Sequence, residues 1–265
     1  MKKLLFLFIY FFFIISIKSS YGQSESQSNH ISYVKGGIVR GDSTLREVYL
    51  VFTADSEAEG MPHILKVLKK EKLKAGFFFT GNYFRNPDNH KPTKKLIKHD
   101  HYLGPHSDEH LLYCSWDNRD LTLVSKDSFT NDLLNNIKLI EKYNANLQTK
   151  IYIPPYEWWN DTIAAWSKEA GWGIINFTPG IRTNADYTTP DMNNYRSSEW
   201  IMNSLKELYL NNPSAFNGAI ILVHAGTNPL RTDKLYHRLG ELIRWLKSEG
   251  FEFKPVTNLT GNSVK

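Results

Sequence analysis

The stretch EVYLVFTADSEAEGMPHILKVLKKEKLKAGFFFTG, residues 47–81, decides the fold. VYLVFTAD is an apolar, β-branched and aromatic run of strand length that ends on Asp55. MPHILKVLKKEKL then spaces its apolar residues at helical intervals, with Pro62 near the first turn, where a missing N–H is harmless. AGFFFTG returns to the strand pattern. A strand, a helix and a strand with no hairpin signal between them place the two strands parallel in one sheet.

The same alternation continues downstream. KPTKKLIKHD (91–100) predicts a helix, HYLGPH (101–106) a short strand, and SKDSFTNDLLNNIKLIEKY (125–143) a long helix with Phe129, Leu133, Leu134, Ile137 and Ile140 at helical spacing. TKIYIPP (149–155) is a strand that Pro154-Pro155 ends. NDTIAAWSKEAG (160–171) is a helix, WGIINFTPG (172–180) a strand, SSEWIMNSLKELYL (197–210) a helix and GAIILVHAG (218–226) a strand. RTDKLYHRLGELIRWLKSEG (231–250) and FEFKPV (251–256) close the series as helix and strand. The fold class is therefore α/β with a parallel sheet, and a closed barrel or an open doubly wound sheet both accommodate it. In either, function sits at the C-terminal ends of the strands. Those ends carry Asp55, Gly81, His106, Pro154-Pro155-Tyr156, Thr178 and His224.

Upstream, residues 1–22 differ from the rest. Lys2 and Lys3 precede an apolar run from Leu4 to Ile17, and Ser20-Tyr21-Gly22 supplies a small-x-small exit, the pattern of a cleaved secretory signal. The run falls short of the roughly 20 residues of a spanning helix, so no stable membrane anchor is expected after cleavage. Residues 23–46 begin polar and Ser/Gln-rich and are expected to form a disordered lead-in to a domain at 47–265. Loss of Lys2, Lys3 and Lys18 lowers the formal net charge from +5 to +2, which removes the case for a nucleic-acid partner. With 41% hydrophobic and 22% charged residues, the chain can bury a single large core. Cys114 is the one cysteine, so neither an internal disulfide nor a zinc–thiolate cluster can form. An exported protein, periplasmic or secreted, is the expectation.

GPHSDEH, residues 104–110, spaces His106 and His110 four apart, one face of a helix and close enough to chelate one cation. Asp55, from another strand end, would complete a His-His-Asp set with open positions for water and substrate. The same letters match the H-x-x-E-H signature of inverted zinc peptidases, with Glu109 as base. Gly104-Pro105 directly before His106 argues against the continuous helix such a peptidase needs.

With these residues in place, the sequence resembles the polysaccharide deacetylases of carbohydrate esterase family 4. The family's T-F-D-D motif corresponds to FTAD (52–55), H-[ST]-x-x-H to HSDEH (106–110), R-x-P-x-G to IPPYE (153–157), and L-x-H to LVH (222–224). The resemblance implies a distorted (β/α)7-type barrel and a divalent metal on Asp55, His106 and His110. Zn²⁺ suits that set best, with Co²⁺, Ni²⁺ or Mn²⁺ as alternatives. It makes His224 the acid that protonates the leaving group and places the backbone N–H of Tyr156 at the developing oxyanion. It also implies an acetylated oligo- or polysaccharide as substrate. The sequence departs from the family at two points. Ala54 stands at the position of the usual base, and Ile153 at that of the arginine that orients it. Loss of both together avoids leaving either charge buried and unpaired.

A replacement base is expected from Glu157, where the family commonly has glycine, and next from Glu57; Glu59 and Asp108 are further carboxylates nearby. Glu157 could equally serve the N-terminus of the following helix. Tyr113, Trp116, Tyr156, Trp158, Trp159, Tyr187 and Tyr195 could line a saccharide groove, with Trp158 as a substrate-binding residue. Arg182 and Asp186 could bind polar substrate groups or replace the missing charge pair. The rival from another class is a metal- and carbohydrate-binding pseudoenzyme.

Overall fold

Residues 30–260 are described by the computed structural model of the chain. In chain order they form β1 (Ser32–Val34), β2 (Gly37–Arg40), β3 (Glu47–Ala54), α1 (Met61–Glu71), β4 (Gly76–Phe79), α2 (Gly81–Arg85), α3 (His90–Lys98) and β5 (Tyr102–Pro105). Then follow α4 (Lys126–Glu141), β6 (Ile151–Tyr152), α5 (Asp161–Glu169), β7 (Gly173–Ile174), α6 (Ser198–Asn211), β8 (Ala219–His224), α7 (Leu239–Ser248) and β9 (Glu252–Lys254). No helix among the described residues is long and apolar enough to cross a membrane. The apolar run at residues 4–17 lies outside them.

β3 is the central stave. It runs parallel to β8 on one edge, while β4 and β9 share the other, β4 beside residues 51–54 and β9 beside residues 47–49. Such a strand is covered on both faces, which is why its sequence reads as a continuous apolar run. Val48, Leu50, Phe52 and Ala54 turn outward to pack with α1, α6 and α7. Tyr49 and Val51 turn inward and meet Phe78, Ile151, Ile153, Ile175, Ile220 and Leu222 inside the barrel. A third cluster, with Tyr152, Trp159, Ile163, Phe129 and Leu133, seats α4 and α5.

The sheet is mixed and curls into a distorted barrel. The main sheet runs β1-β2-β8-β3-β4-β5, and β6 and β7 pair separately in parallel. Ile153 N donates to Pro105 O at 3.4 Å across the β5–β6 seam, and the Tyr102 hydroxyl reaches the Ile151 carbonyl at 2.9 Å. On the far side, Asn176 N donates to Ile38 O at 2.8 Å and Ile38 bridges Ile175, joining β7 to β2.

Three expectations change. The lead-in expected to be disordered contains, from residue 30 on, the antiparallel β1–β2 hairpin, and β2 pairs antiparallel with β8. Lys35 and Gly36 both have positive φ, 43° and 72°, the backbone of a tight hairpin turn. The strands expected at 149–155 and 172–180 shrink to two residues each. The helix expected from residue 231 starts at Leu239, because Arg231 is buried and donates to Thr188 O, Arg196 O and Ser198 Oγ instead.

Candidate active site

Asp55 leaves the end of β3, and its Oδ1 accepts from Thr80 Oγ1 at 2.7 Å and Asn82 Nδ2 at 3.0 Å. Both donors stand where β4 passes into α2, so the adjacent strand fixes this carboxylate.

His106 and His110 do not lie on a helix. Residues 106–110 form a turn in which Ser107 and His110 have φ of 79° and 56°. The turn brings the two imidazoles to 5.2 Å between centroids. Helix α4 holds it in place. Asp132 accepts from Ser107 Oγ at 2.6 Å, Asp108 N at 3.1 Å, Glu109 N at 2.9 Å and Tyr113 Oη at 2.5 Å. One turn on, Asn136 Oδ1 accepts from His106 N at 2.9 Å. Ser107 Oγ in turn accepts from His110 N at 2.8 Å. His106 Nδ1 meets the Ile153 carbonyl at 2.8 Å, which makes Nδ1 the protonated nitrogen and leaves Nε2 as an acceptor. Burial pushes His106 well below the usual imidazole range, and the neighbouring His110 adds to this. Burial also pushes His110 down, opposed by the charge of Asp55.

Of the candidate bases, Glu157 alone turns toward these rings. Its Oε1 is 3.8 Å from His106 Nε2, and its side chain is largely buried. Burial raises its carboxyl above the ordinary value; the charge on His224 opposes the rise and Asp186 adds to it. The Thr53 hydroxyl is buried close by and favours the ionised form without reaching hydrogen-bond distance. Glu57 is exposed and takes the Ser56 hydroxyl; Glu59 pairs with Lys234; Asp108 is gripped by Arg85 at 2.6 Å. The helix-end role open to Glu157 belongs to Asn160, whose side chain accepts from Ile163 N at 3.0 Å.

His224 closes the site from the end of β8. Its Nδ1 lies 2.6 Å from Asp186 Oδ1, and its backbone N donates to Asp186 Oδ2 at 3.0 Å. Burial alone would push this imidazolium down, but the charge and hydrogen bond of Asp186, with Glu157, push it up to about 9. Asp186 thus binds the histidine rather than substrate. Arg182 lies away from the site, its guanidinium over Trp200 of α6 at 5.7 Å. The Tyr156 N–H points at His110 Nε2 at 3.4 Å, and its ring lies 4.2 Å from that of His110. Tyr187 stands 6.1 Å from His224. Tyr113 and Trp159 are core residues and do not line a groove, while Tyr195 is half-buried and donates to Asp233. Trp158 is half-buried against Trp116 and Arg119. Sequence reasoning missed Thr80, Asn82, Asp132 and Asn136. For the last two a signal was present: polar residues one turn apart amid the apolar positions of a helix.

A family model described as polysaccharide deacetylase matches residues 40–175, just over half of the chain. The chain belongs to the polysaccharide deacetylase family. It is 23% identical over 82% of its length to a chitooligosaccharide deacetylase of a Bradyrhizobium strain, covering 92% of that protein. It is 24% identical to the peptidoglycan-N-acetylmuramic acid deacetylase PdaA of Bacillus subtilis, over 83% of this chain and 73% of that one. The solved structure of PdaA, a family 4 carbohydrate esterase, superposes with a TM-score of 0.67 at 21% identity, covering 87% of each chain. Wild-type BA3943 of Bacillus anthracis, described as a pseudoenzyme of the same family, gives 0.65 at 21% identity, over 86% of this chain and 69% of that one. These likenesses establish the fold as that of the deacetylase family's deformed barrel.

Within this deacetylase-family chain, the donor chemistry fits a divalent ion. Two imidazoles are kept neutral by burial, the form that ligates, and His106 has its second nitrogen fixed by a carbonyl in the way metal-bound histidines are oriented. The set is not drawn closed: among the described residues, no three His, Cys, Asp or Glu side chains converge closely enough to enclose an ion. Ala54 is buried in the outer core cluster that also holds Phe79 and Tyr83. Ile153 fills the barrel interior and contributes its carbonyl instead of a charged side chain.

Proposed function

We propose that the protein removes O- or N-linked acetyl groups from an oligo- or polysaccharide, using a divalent cation, Zn²⁺ first among candidates, held by His106, His110 and Asp55. The observation that carries this reading is a buried His224–Asp186 pair whose charge is felt by a largely buried Glu157, which itself lies 3.8 Å from the neutral His106. A cation bound there would polarise the acetyl carbonyl and make its water more acidic. The chain's own residues supply the rest. Glu157 accepts the proton of the attacking water at its carboxylate. His224 is charged at neutral pH; with Nδ1 committed to Asp186, its Nε2 donates to the departing alcohol or amine. The Tyr156 N–H, set by a positive φ of 59°, would stabilise the oxyanion once it turns from His110 Nε2, which it meets at 3.4 Å. Export to the periplasm or the exterior, suggested by residues 1–22, would bring the site to such polymers.

A second reading, a carbohydrate-binding member without turnover, draws support from the unassembled third ligand. Acetate release from acetylated xylan and from chitooligosaccharides, with and without chelator, separates the two when combined with elemental analysis. The enzyme reading expects a stoichiometric cation and chelator-sensitive release. Saccharide binding with neither would replace it by the receptor, and chelator-sensitive cleavage of casein would point to a peptidase.

A further inference from the structure

Residues 113–123 form a short ribbon after the histidine turn. Cys114 bridges Thr122, Ser115 N donates to Leu121 O at 3.0 Å, and Leu123 N donates to Tyr113 O at 2.9 Å. The ribbon is firmly docked. Arg119 Nε donates to Trp159 O at 2.7 Å, Asn160 Nδ2 to Thr122 Oγ1 at 2.9 Å, and Trp158 Nε1 to Ser115 O at 3.2 Å. On this fixed base, Trp116 stacks on Trp158 with centroids 5.3 Å apart and planes at 27°. The Arg119 guanidinium lies 4.0 Å from the Trp158 ring. Trp116 nonetheless remains 56% exposed. A tryptophan held in a single orientation by a second ring, yet left open to water, gains nothing for the core from that exposure.

The ring is continuous with the site. Trp116 meets Tyr156 edge-on at 5.8 Å, and Tyr156 lies on His110 at 4.2 Å. Polar side chains adjoin it in sequence: Ser115, Asp117, Asn118 and Arg119. A flat apolar surface with polar groups beside it matches a pyranose ring, whose C–H face is apolar and whose rim carries hydroxyls.

We infer that Trp116 is the platform of an outer sugar subsite on the His110 side, one ring beyond Tyr156, so that the substrate is a chain extending past the acetylated residue rather than a mono- or disaccharide. Trp158 supports the platform from within. This rests on the deacetylase reading for the identity of the central site. The ring is preorganised, so binding a further sugar there requires little ordering of the protein.

The test measures binding by calorimetry, and acetate release in parallel, for dimers, tetramers and hexamers of β-1,4-linked N-acetylglucosamine and of acetylated xylose. Wild type is compared with Trp116→Ala and Trp116→Tyr. The expected result is affinity that rises with chain length in one series. Trp116→Ala should remove most of that gain, weakening the hexamer roughly tenfold, and Trp116→Tyr should retain most of it. A wild type that binds hexamer no better than dimer in both series overturns the inference, as does a Trp116→Ala protein that binds hexamer like wild type. Length-dependent, Trp116-dependent binding with no acetate released from any substrate retires the deacetylase reading and leaves the platform standing. Release indifferent to length in all three proteins does the reverse.

Discussion

Tyr156 and Glu157 both sit at positive φ, 59° and 53°, a region that disfavours side chains by about 1–2 kcal/mol per residue. Such strain persists where surrounding structure enforces it, and it marks functional positions. At residue 157 a glycine would be unstrained, whereas the glutamate also buries a carboxylate. Glu157→Gly should therefore raise unfolding free energy by about 1 kcal/mol, seen as a higher midpoint in urea, while acetate release collapses. A less stable Glu157→Gly protein would refute the strain argument, and full turnover in Glu157→Gln would remove the base role. The glutamate was legible from the motif alone; its backbone state was not. His224 gives a pH prediction. Its folded value of about 9 exceeds the free imidazole's, so its contribution is fully present below about pH 6.5 and is lost as pH rises through about 9. On this basis wild type should lose on the order of 2 kcal/mol across that window, and the alkaline limb of activity should fall near 9. In Asp186→Asn both the stability loss and the limb should move to lower pH; an unmoved limb would show that another group titrates. Asp186 and His224 are 38 residues apart, which is why no local pattern disclosed the pair.

Helix α4 does two tasks with one face. Phe129, Leu133 and Ile137 seat it in the third core cluster, while Asp132 and Asn136 on the same buried side serve the histidine turn. Four donors converge on Asp132. Removing the carboxylate strands buried N–H and O–H groups, each worth about 1–3 kcal/mol when unsatisfied. Asp132→Ala should thus destabilise by about 3 kcal/mol or more in urea titration, and amide exchange at Asp108 and Glu109 should accelerate well beyond the rest of the molecule. Uniform acceleration across all amides would instead mean that Asp132 serves only global stability. Leu134→Ala offers the contrast: this side chain is 40% exposed, and its loss should cost under about 1 kcal/mol. The sequence made α4 visible through its apolar spacing. It misled at residues 106–110, where i, i+4 histidines suggest a helix but a turn with two positive-φ residues brings the rings together. Gly104-Pro105 was the available clue, since proline and glycine interrupt a helix directly before the first histidine.

Across the whole molecule, the long staves β3, β4 and β8 were legible because parallel strands buried on both faces read as apolar runs, whereas the pieces that complete the barrel carry too few residues to show a period. β6 and β7 have two residues each, and β2 enters from the opposite direction out of a hairpin that the polar lead-in concealed. Closure on this side depends on how near β2 can lie to its neighbours. A Cβ at Gly37 would stand 2.7 Å from both Ile174 Cγ2 and Trp159 Cζ2. No side chain fits there unless both the Ile174 side chain and the Trp159 ring move. Trp159 lies in the segment that carries Tyr156 and Glu157, and its Nε1 donates to Lys35 O at 2.9 Å, so the hairpin and the site share one support. Gly37→Val should therefore destabilise by about 1–3 kcal/mol, as overpacking does, and lower acetate turnover although residue 37 touches no catalytic group. The reading requires both effects together, measured by urea midpoint and by acetate release at a temperature where the variant is fully folded. Lost stability with unchanged turnover would mean that the hairpin closes the barrel without positioning the site.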